Sequence, residues 1–431
     1  MLVVTAGSLG AAERLTLAEA VQRAVENYPT VAAARQKGLA IREKEAEARS
    51  AYLPRVEYQE SWVRSNNPVF VFGALLTQRQ FGPQNFAIDS LNRPAALNQF
   101  QSLVMAEQML WDGGRTRKQV ESARLGQKIA ATEVKQLELA LASRTARAYL
   151  DAQLAQAGVR LAEQTVGAAE ADLRQAEAAR DAGRATAADA LAVRVHLAAM
   201  RENLAMRRAD LRIAMRVLAD LVGANDTELE LVTPMVMKET PAVAAVAQRA
   251  ELEQGRLTLE ARKVGTGLAR LYWLPQVSLR AGFEADRQNF VNKAGANWMA
   301  GVSLKWRLFD GGADRAPLRA AVSDERAAAL QLKAVEQQVA VEVMQAATLV
   351  EANQERLETA RTAIEAAEES LRITRDRYEA GLENITSLLR METALAEAQL
   401  RLLMARHAVR VAKLNQEAAL GKLGPNSEVL Q

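Results

Sequence analysis

Two periods alternate along the 431 residues of the chain. Over long stretches apolar residues return every three or four positions. Val350, Asn353, Leu357, Ala360, Ile364, Ala367, Leu371, Thr374 and Tyr378 form one such run, and after Gly381 the spacing resumes at Leu388, Met391, Leu395, Ala398, Leu402, Ala405, Val409 and Ala412. A helical period that stops at a glycine and restarts at once predicts an antiparallel coiled-coil hairpin, the glycine closing the first helix in the left-handed conformation.

The same hairpin is written twice. At a constant offset of 198 residues Asp112-Gly113-Gly114 falls on Asp310-Gly311-Gly312, Leu173 on Leu371, Gly183 on Gly381, Leu197 on Leu395, Met206 on Met404 and Gly223 on Gly421. Upstream, "YLPRV" (52–56) matches "WLPQV" (273–277) at an offset of 221, which leaves the first copy 23 residues longer between these anchors. The chain therefore reads as a tandem duplication. The first repeat spans 13–223 with its hairpin at 112–223, the linker 224–240 follows, and the second repeat spans 241–424 with its hairpin at 310–421 and a tail at 425–431. In each hairpin the outgoing arm covers 71 positions and the returning arm 40. The rest of each long arm needs another partner, and the helical stretches Leu17 to Tyr52 and Pro241 to Trp273 are of suitable length.

Between each "LP" and each "DGG" the period changes to two. Val277, Leu279, Ala281 and Phe283 alternate with Gln276, Ser278, Arg280, Gly282 and Glu284, and Trp298, Ala300, Val302, Leu304, Trp306 and Leu308 alternate with Met299, Gly301, Ser303, Lys305 and Arg307. This predicts strands at about 275–285 and 297–309, and less regular ones at about 54–64 and 98–111. In the first copy Val56, Tyr58 and Trp62 share a face with Glu60, and Phe100, Val104 and Leu110 with Gln108. The remaining chain is committed to long helices and can spare no second layer, so an apolar face bearing Trp points to lipid. Four strands cannot close a barrel, and an open edge in lipid leaves backbone groups unpaired. Three chains arranged cyclically would supply twelve strands and close it. The expected fold is mainly α with a transmembrane β-barrel: tandem coiled-coil hairpins plus four strands per chain, in a trimeric α-barrel and 12-stranded β-barrel channel.

Composition supports long helices packed through small side chains, with only 4% aromatic residues. The 55 basic and 52 acidic residues are interspersed, so no face for nucleic acid stands out. Without cysteine there is no disulfide, thiolate nucleophile or zinc-thiolate site. No run of about 18 apolar residues offers a transmembrane helix. "MLVVTAGSLGAAE" resembles the end of a secretory signal, and residues 1–12 are read as its remnant. His196 and His407 lack ligand-spaced partners and suit ordinary helix positions. The twelve methionines suit seams rather than soft-metal export. No nucleophile, base and orienter can be assembled, so neither an enzyme nor a cofactor or metal site is expected. A soluble coiled-coil scaffold is the alternative, but it gives the alternating strands no purpose.

Together, "LTLAEAVQRAVENYP", both "LPxV" strand starts, both "DGG" helix starts and "RYEAGLENITSLL" make the chain from Leu15 to Gly424 resemble the TolC family of outer-membrane efflux proteins. The resemblance implies a homotrimer in outer-membrane lipid with a helical tunnel in the periplasm. It would serve as the exit duct of a tripartite efflux pump or type I secretion system, working with a periplasmic adaptor (membrane fusion) protein and an inner-membrane transporter. The extra 23 residues would lengthen the first extracellular loop, whose Pro, Gly and Asn content suits an exposed cap. Adaptor docking is expected at the tips, around Gly183, Arg184, Thr186, Gly381, Leu382 and Thr386. The family implies an acidic ring on the second returning helix, but the aligned residues here are Ser387 and Arg390. The duplicated position carries Asp189, and Glu383 and Glu392 lie close by; Asp189, Glu383, Ser387, Arg390 and Glu392 are therefore the constriction candidates, with Asp189 and Arg390 as a cross-hairpin pair.

Overall fold

The computed structural model describes residues 13–224, 229–234, 249–291, 295–313, 315–424, 427 and 430. The expected signal remnant, part of the linker and most of the tail lie outside the described residues. The elements run β1 (Glu13–Leu15), α1 (Leu17–Asn27), α2 (Pro29–Ser50), β2 (Arg55–Ser65), α3 (Pro68–Thr77), α4 (Ile88–Asn92), β3 (Leu97–Trp111), α5 (Arg115–Asp181), α6 (Ala187–Val222), β4 (Leu229–Leu231), α7 (Ala250–Arg270), β5 (Gln276–Arg287), β6 (Gly295–Lys305), α8 (Arg315–Glu379) and α9 (Ile385–Ala419). They fall into two units, Met1–Lys37 with Ala131–Gly255 and Leu332–Gln431, and Gly38–Ala130 with Arg256–Gln331.

The Gly38–Ala130/Arg256–Gln331 unit holds an antiparallel sheet in the order β2-β3-β5-β6. Directly opposed residues share a face, so the register aligns Tyr58 with Val104, Val104 with Phe283 and Phe283 with Trp298. Val56, Ala106, Ala281 and Ala300 make a second apolar row on that face. The face is open to its surroundings: Trp298 is 80% and Val302 67% exposed. Glu60 interrupts it, and Tyr58 Oη donates to its carboxylate at 2.7 Å, Arg287 Nη2 at 2.8 Å, and the Ser102 hydroxyl as well. The register shifts between Met109 and Trp111, putting Trp111 rather than Leu110 opposite Val277. Alternation alone had placed Leu110 on the apolar face; a bulge adds a residue and reverses the alternation beyond it. β6 stops at Lys305, so Trp306 and Leu308 lie past the strand, and Trp306 Nε1 donates to the Trp273 carbonyl at 3.1 Å.

The inserted segment forms short helices. Asn67 caps α3, its Oδ1 accepting from Val69 N and Phe70 N with Pro68 in the first turn. Phe72, Phe81 and Phe86 pack edge to face at 4.8 and 5.1 Å. Gln78 and Arg79 tie the segment to the Asn98 and Ala296 carbonyls at the sheet's end. In the same unit Arg124 pairs with Glu45, holding α2 to the start of α5, and Thr266 Oγ1 donates to the Ala321 carbonyl, holding α7 to α8.

In the Met1–Lys37/Ala131–Gly255/Leu332–Gln431 unit, the stretch expected as one helix from Leu17 breaks at Tyr28 because Pro29 forces its predecessor into an extended conformation. Thr16 and Glu19 form a capping box at the start of α1. β1 and β4 pair in parallel, a sheet absent from the sequence reading. Its core gathers Leu15, Leu17, Val21, Tyr149, Leu218, Leu221 and Leu414, all essentially inaccessible to solvent. Tyr149 Oη donates to the Leu15 carbonyl at 2.8 Å and accepts from Thr233 N at 3.2 Å, while Thr233 Oγ1 accepts from Leu17 N at 2.8 Å. Among the described residues no helix is long and apolar enough to cross a membrane.

Candidate functional site at the hairpin tips

The long arms α5 and α8 contain 67 and 65 residues and the returning arms α6 and α9 contain 36 and 35, or about 100 Å and about 55 Å of helix. Both turns close alike. Gly183 and Gly381 take φ of 69° and 71°. Arg184 N donates to the Ala179 carbonyl and Leu382 N to the Arg377 carbonyl, both at 2.8 Å, bonds that satisfy the last carbonyls of the outgoing helices. Thr186 then caps α6 in a box with Asp189, and Asn384 caps α9 by accepting from Ser387 N at 2.9 Å. Asn384, not Thr386, is the counterpart of Thr186 at the 198-residue offset; Thr386 is exposed one residue inside α9.

Each hairpin is zipped by ion pairs across its arms. In the first, Arg194, Arg201 and Arg208 of α6 bond Glu177, Glu170 and Glu163 of α5 at 2.8, 2.7 and 2.8 Å. Each step moves seven residues up one helix and seven down the other, the register of antiparallel heptads. The second hairpin keeps one of these positions with the charges reversed: Arg375 of α8 bonds Glu392 of α9 at 2.7 Å. Near the tips the two hairpins pack on each other through Ala176, Val193, Ile385 and Leu388, with Leu173, Leu371 and Tyr378 alongside.

This packing encloses charge. Glu392 is held between Arg375 and Asp172 of α5, and burial first, then the Asp172 carboxylate, push it up to about 7 against the pull of Arg375. Asp172 Oδ2 is buried without a hydrogen-bond donor, as expected where two carboxyl groups crowd each other. Burial lowers His196 of α6 while Asp172 opposes that shift. Burial, Asp189 and Asp172 raise Tyr378. Glu392 was singled out in the sequence and His196 was assigned an ordinary helix position, but Asp172 and Arg375 were not named, because the group comes together only when two hairpins meet.

The other constriction candidates lie nearer solvent. Thr186 N donates to the Asp189 carboxylate at 2.9 Å and the Thr186 hydroxyl at 2.8 Å, so Asp189 is engaged in capping its own helix. Glu383 lies 3.6 Å from Arg377. Ser387 is half-buried, and Arg390 is exposed without an ion-pair partner among the described residues of this chain. At the far end of α9, His407 Nε2 lies 2.8 Å from Asp151 Oδ1 of α5, a contact across 256 residues of sequence. Among the described residues no group of three His, Asp or Glu is placed to hold a metal ion.

A family model described as Outer membrane efflux protein matches residues 20–224 and 242–422. The chain belongs to this family. The two matched blocks leave out only the short stretch between the repeats and the chain ends. Protein CyaE of Bordetella pertussis is 35% identical over 158 residues, which cover 36% of this chain and 33% of that protein. The chain thus aligns with about a third of the length of this curated relative. Among solved structures, CusC superposes with a TM-score of 0.82 at 19% identity over 94% of this chain and 92% of its own. The Campylobacter jejuni CmeC outer membrane channel gives 0.80 at 14% identity over 96% and 87%. The Neisseria gonorrhoeae MtrE outer membrane channel gives 0.78 at 18% over 95% and 90%. At such identities these likenesses establish that this outer membrane efflux protein shares their fold.

Proposed function

We propose that the chain is one protomer of a homotrimeric outer-membrane channel, the passive exit duct of a tripartite efflux pump or type I secretion system. The carrying observation is the four-stranded sheet: one face is apolar and exposed, and among the described residues neither β2 nor β6 has a partner on its outer edge. Unpaired edges are costly in lipid. Three copies joined β2 to β6 would satisfy them with twelve strands, leaving the polar face toward a lumen. Cargo would move without any bond being made or broken, selected by bore and wall charge.

In this reading the hairpins form a periplasmic tunnel. Gly183, Arg184, Thr186, Gly381, Leu382 and Thr386 meet a periplasmic adaptor, which links the duct to an inner-membrane transporter. Asp189 and Arg390 alternate around the constriction, with Glu383, Ser387 and Glu392 behind them. The exposure of Arg390 and its lack of an ion-pair partner among the described residues favour a partner on a neighbouring hairpin.

The absence of cysteine allows a direct test. Val302→Cys and Ser303→Cys lie on opposite faces of β6. In membranes, a polar maleimide should label Ser303→Cys through the lumen and spare Val302→Cys in lipid. Equal labelling of both would reject the channel in favour of a scaffold.

A further inference from the structure

Where the first repeat passes from sheet to helix, α2 and α5 border an open groove of about 550 Å³. Its walls carry Arg49 from the last turns of α2 and Arg117, Lys118 and Arg124 from the first turns of α5, with Tyr52 and Val120 as less polar surface. Two carboxylates answer these four cations. Glu45 Oε1 receives both Arg49 at 2.7 Å and Arg124 at 2.8 Å, and Glu121 receives Lys118 at 2.8 Å. The hydrogen bond from Arg124 holds the Glu45 carboxyl below its ordinary range, so it stays ionised. Arg117 has no ion-pair partner among the described residues. The site thus keeps about two uncompensated positive charges, in a chain whose 55 basic and 52 acidic residues otherwise nearly balance.

The second repeat carries a different set at the matching positions, similar in net charge but without the lysine and without either carboxylate. At the 198-residue offset Arg117, Lys118, Glu121 and Arg124 become Arg315, Ala316, Arg319 and Val322. The set was therefore not simply copied by the duplication. Guanidinium groups present planar forks of donors that match phosphate oxygens, and a lysine adds a point charge. A small carboxylate would leave much of the groove empty, whereas a phosphate with its glycerol stem could lie against Tyr52 and Val120. Tyr52 stands three residues before β2, and α5 begins four residues after β3 ends.

We infer that this groove binds a phosphate-bearing ligand, held chiefly by Arg117 and Arg124. On the channel reading above, the sheet end lies at the membrane surface and the ligand is a phospholipid headgroup. The phosphate chemistry itself does not depend on that reading.

Native mass spectrometry of the full-length protein, released from micelles doped with either phosphatidylglycerol or diacylglycerol, tests the inference. The parent should retain one phosphatidylglycerol per chain and no diacylglycerol. Arg117→Ala should weaken retention at least tenfold, Arg117→Lys less, and Arg315→Ala, at the duplicated position, not at all. Calorimetry with inorganic phosphate separates the sources: Arg117-dependent binding of inorganic phosphate at low millimolar concentration, without retained lipid, would support the site and assign it to a soluble phosphate. That result would stand even if the protein did not insert into membranes. Equal retention of both lipids, or parental retention of phosphatidylglycerol together with unchanged phosphate binding in an Arg117→Ala/Arg124→Ala double variant, would overturn the inference.

Discussion

Arg194 and Glu392 occupy the same position in the two repeats, each bonded across its hairpin to a residue of opposite charge, yet one is the cation of its pair and the other the anion. The reversal matters because the hairpins touch. The anion placed on α9 meets Asp172 of the first hairpin, and one carboxyl of that pair is driven toward the neutral form.

This gives the tip contact a pH dependence whose sign can be worked out. Glu392 is pushed up to about 7 from an ordinary 4.5, so the packed state binds more protons than the separated one. Its contribution is fully present below about pH 4.5 and is lost as pH rises through about 7, a change on the order of 3 kcal/mol per protomer. His196 acts oppositely: burial lowers it from 6.5, so its contribution is present above that value and lost on acidification. Asp189, Arg375 and Tyr378 also lie around the contact, with the Arg194–Glu177 pair and Arg390 beside it in sequence. Conductance of the parent in planar bilayers should rise from pH 5.5 to pH 8. In Glu392→Gln only the histidine dependence remains and the slope should reverse; an unchanged slope would remove Glu392 from the contact's energetics.

Arg390→Ala should raise conductance at low salt, and high salt should reproduce part of the rise in the parent by screening. Asp189→Asn is the informative partner variant, since an amide oxygen can still accept from Thr186 and preserve the cap. Each exposed pair is worth at most about 1 kcal/mol, so the effect should be graded rather than all or none. Parental conductance in both variants would leave closure to hairpin packing.

Gly381→Val probes the turn itself. No atom lies within 4 Å of a Cβ built at Gly381, so the only penalty is the left-handed backbone, about 1–2 kcal/mol for a side chain. Export should fall while assembly and membrane insertion persist. Unimpaired export would argue against adaptor contact at this tip.

Tyr149→Phe should cost about 1–3 kcal/mol, because it strands the buried Thr233 N–H and removes one of two donors to the Leu15 carbonyl, which keeps Val232 N at 3.2 Å. Thermal unfolding followed by circular dichroism would read this as a lowered midpoint, with unchanged helix content at 25 °C.

The duplication, both turns and the apolar sheet face were legible because each rests on local spacing: a glycine after a helical seam, a period of two between "LP" and "DGG". Contacts between segments far apart in sequence were not. Asp172 and Glu392 look like ordinary solvated charges on their own helices, and only hairpin packing crowds them. Asn384 could have been found, since the offset that pairs Gly183 with Gly381 also pairs Thr186 with it. The Leu110 bulge and the short β1–β4 pairing left no period to read. The inserted segment was read only as an exposed cap, and its Pro, Gly and Asn content drew attention away from the apolar run from Val69 to Leu76, which folds as α3.

Closure of the sheet by copies of the chain is read by native mass spectrometry of the detergent-solubilised protein, combined with single cysteines on the outer edges of β2 and β6. A single species of three times the 47.0 kDa chain mass should appear, with disulfides forming only between chains for edge-matched cysteine pairs. A stable monomer that still inserts and conducts, or edge cysteines that never cross-link between chains in any register, would contradict it.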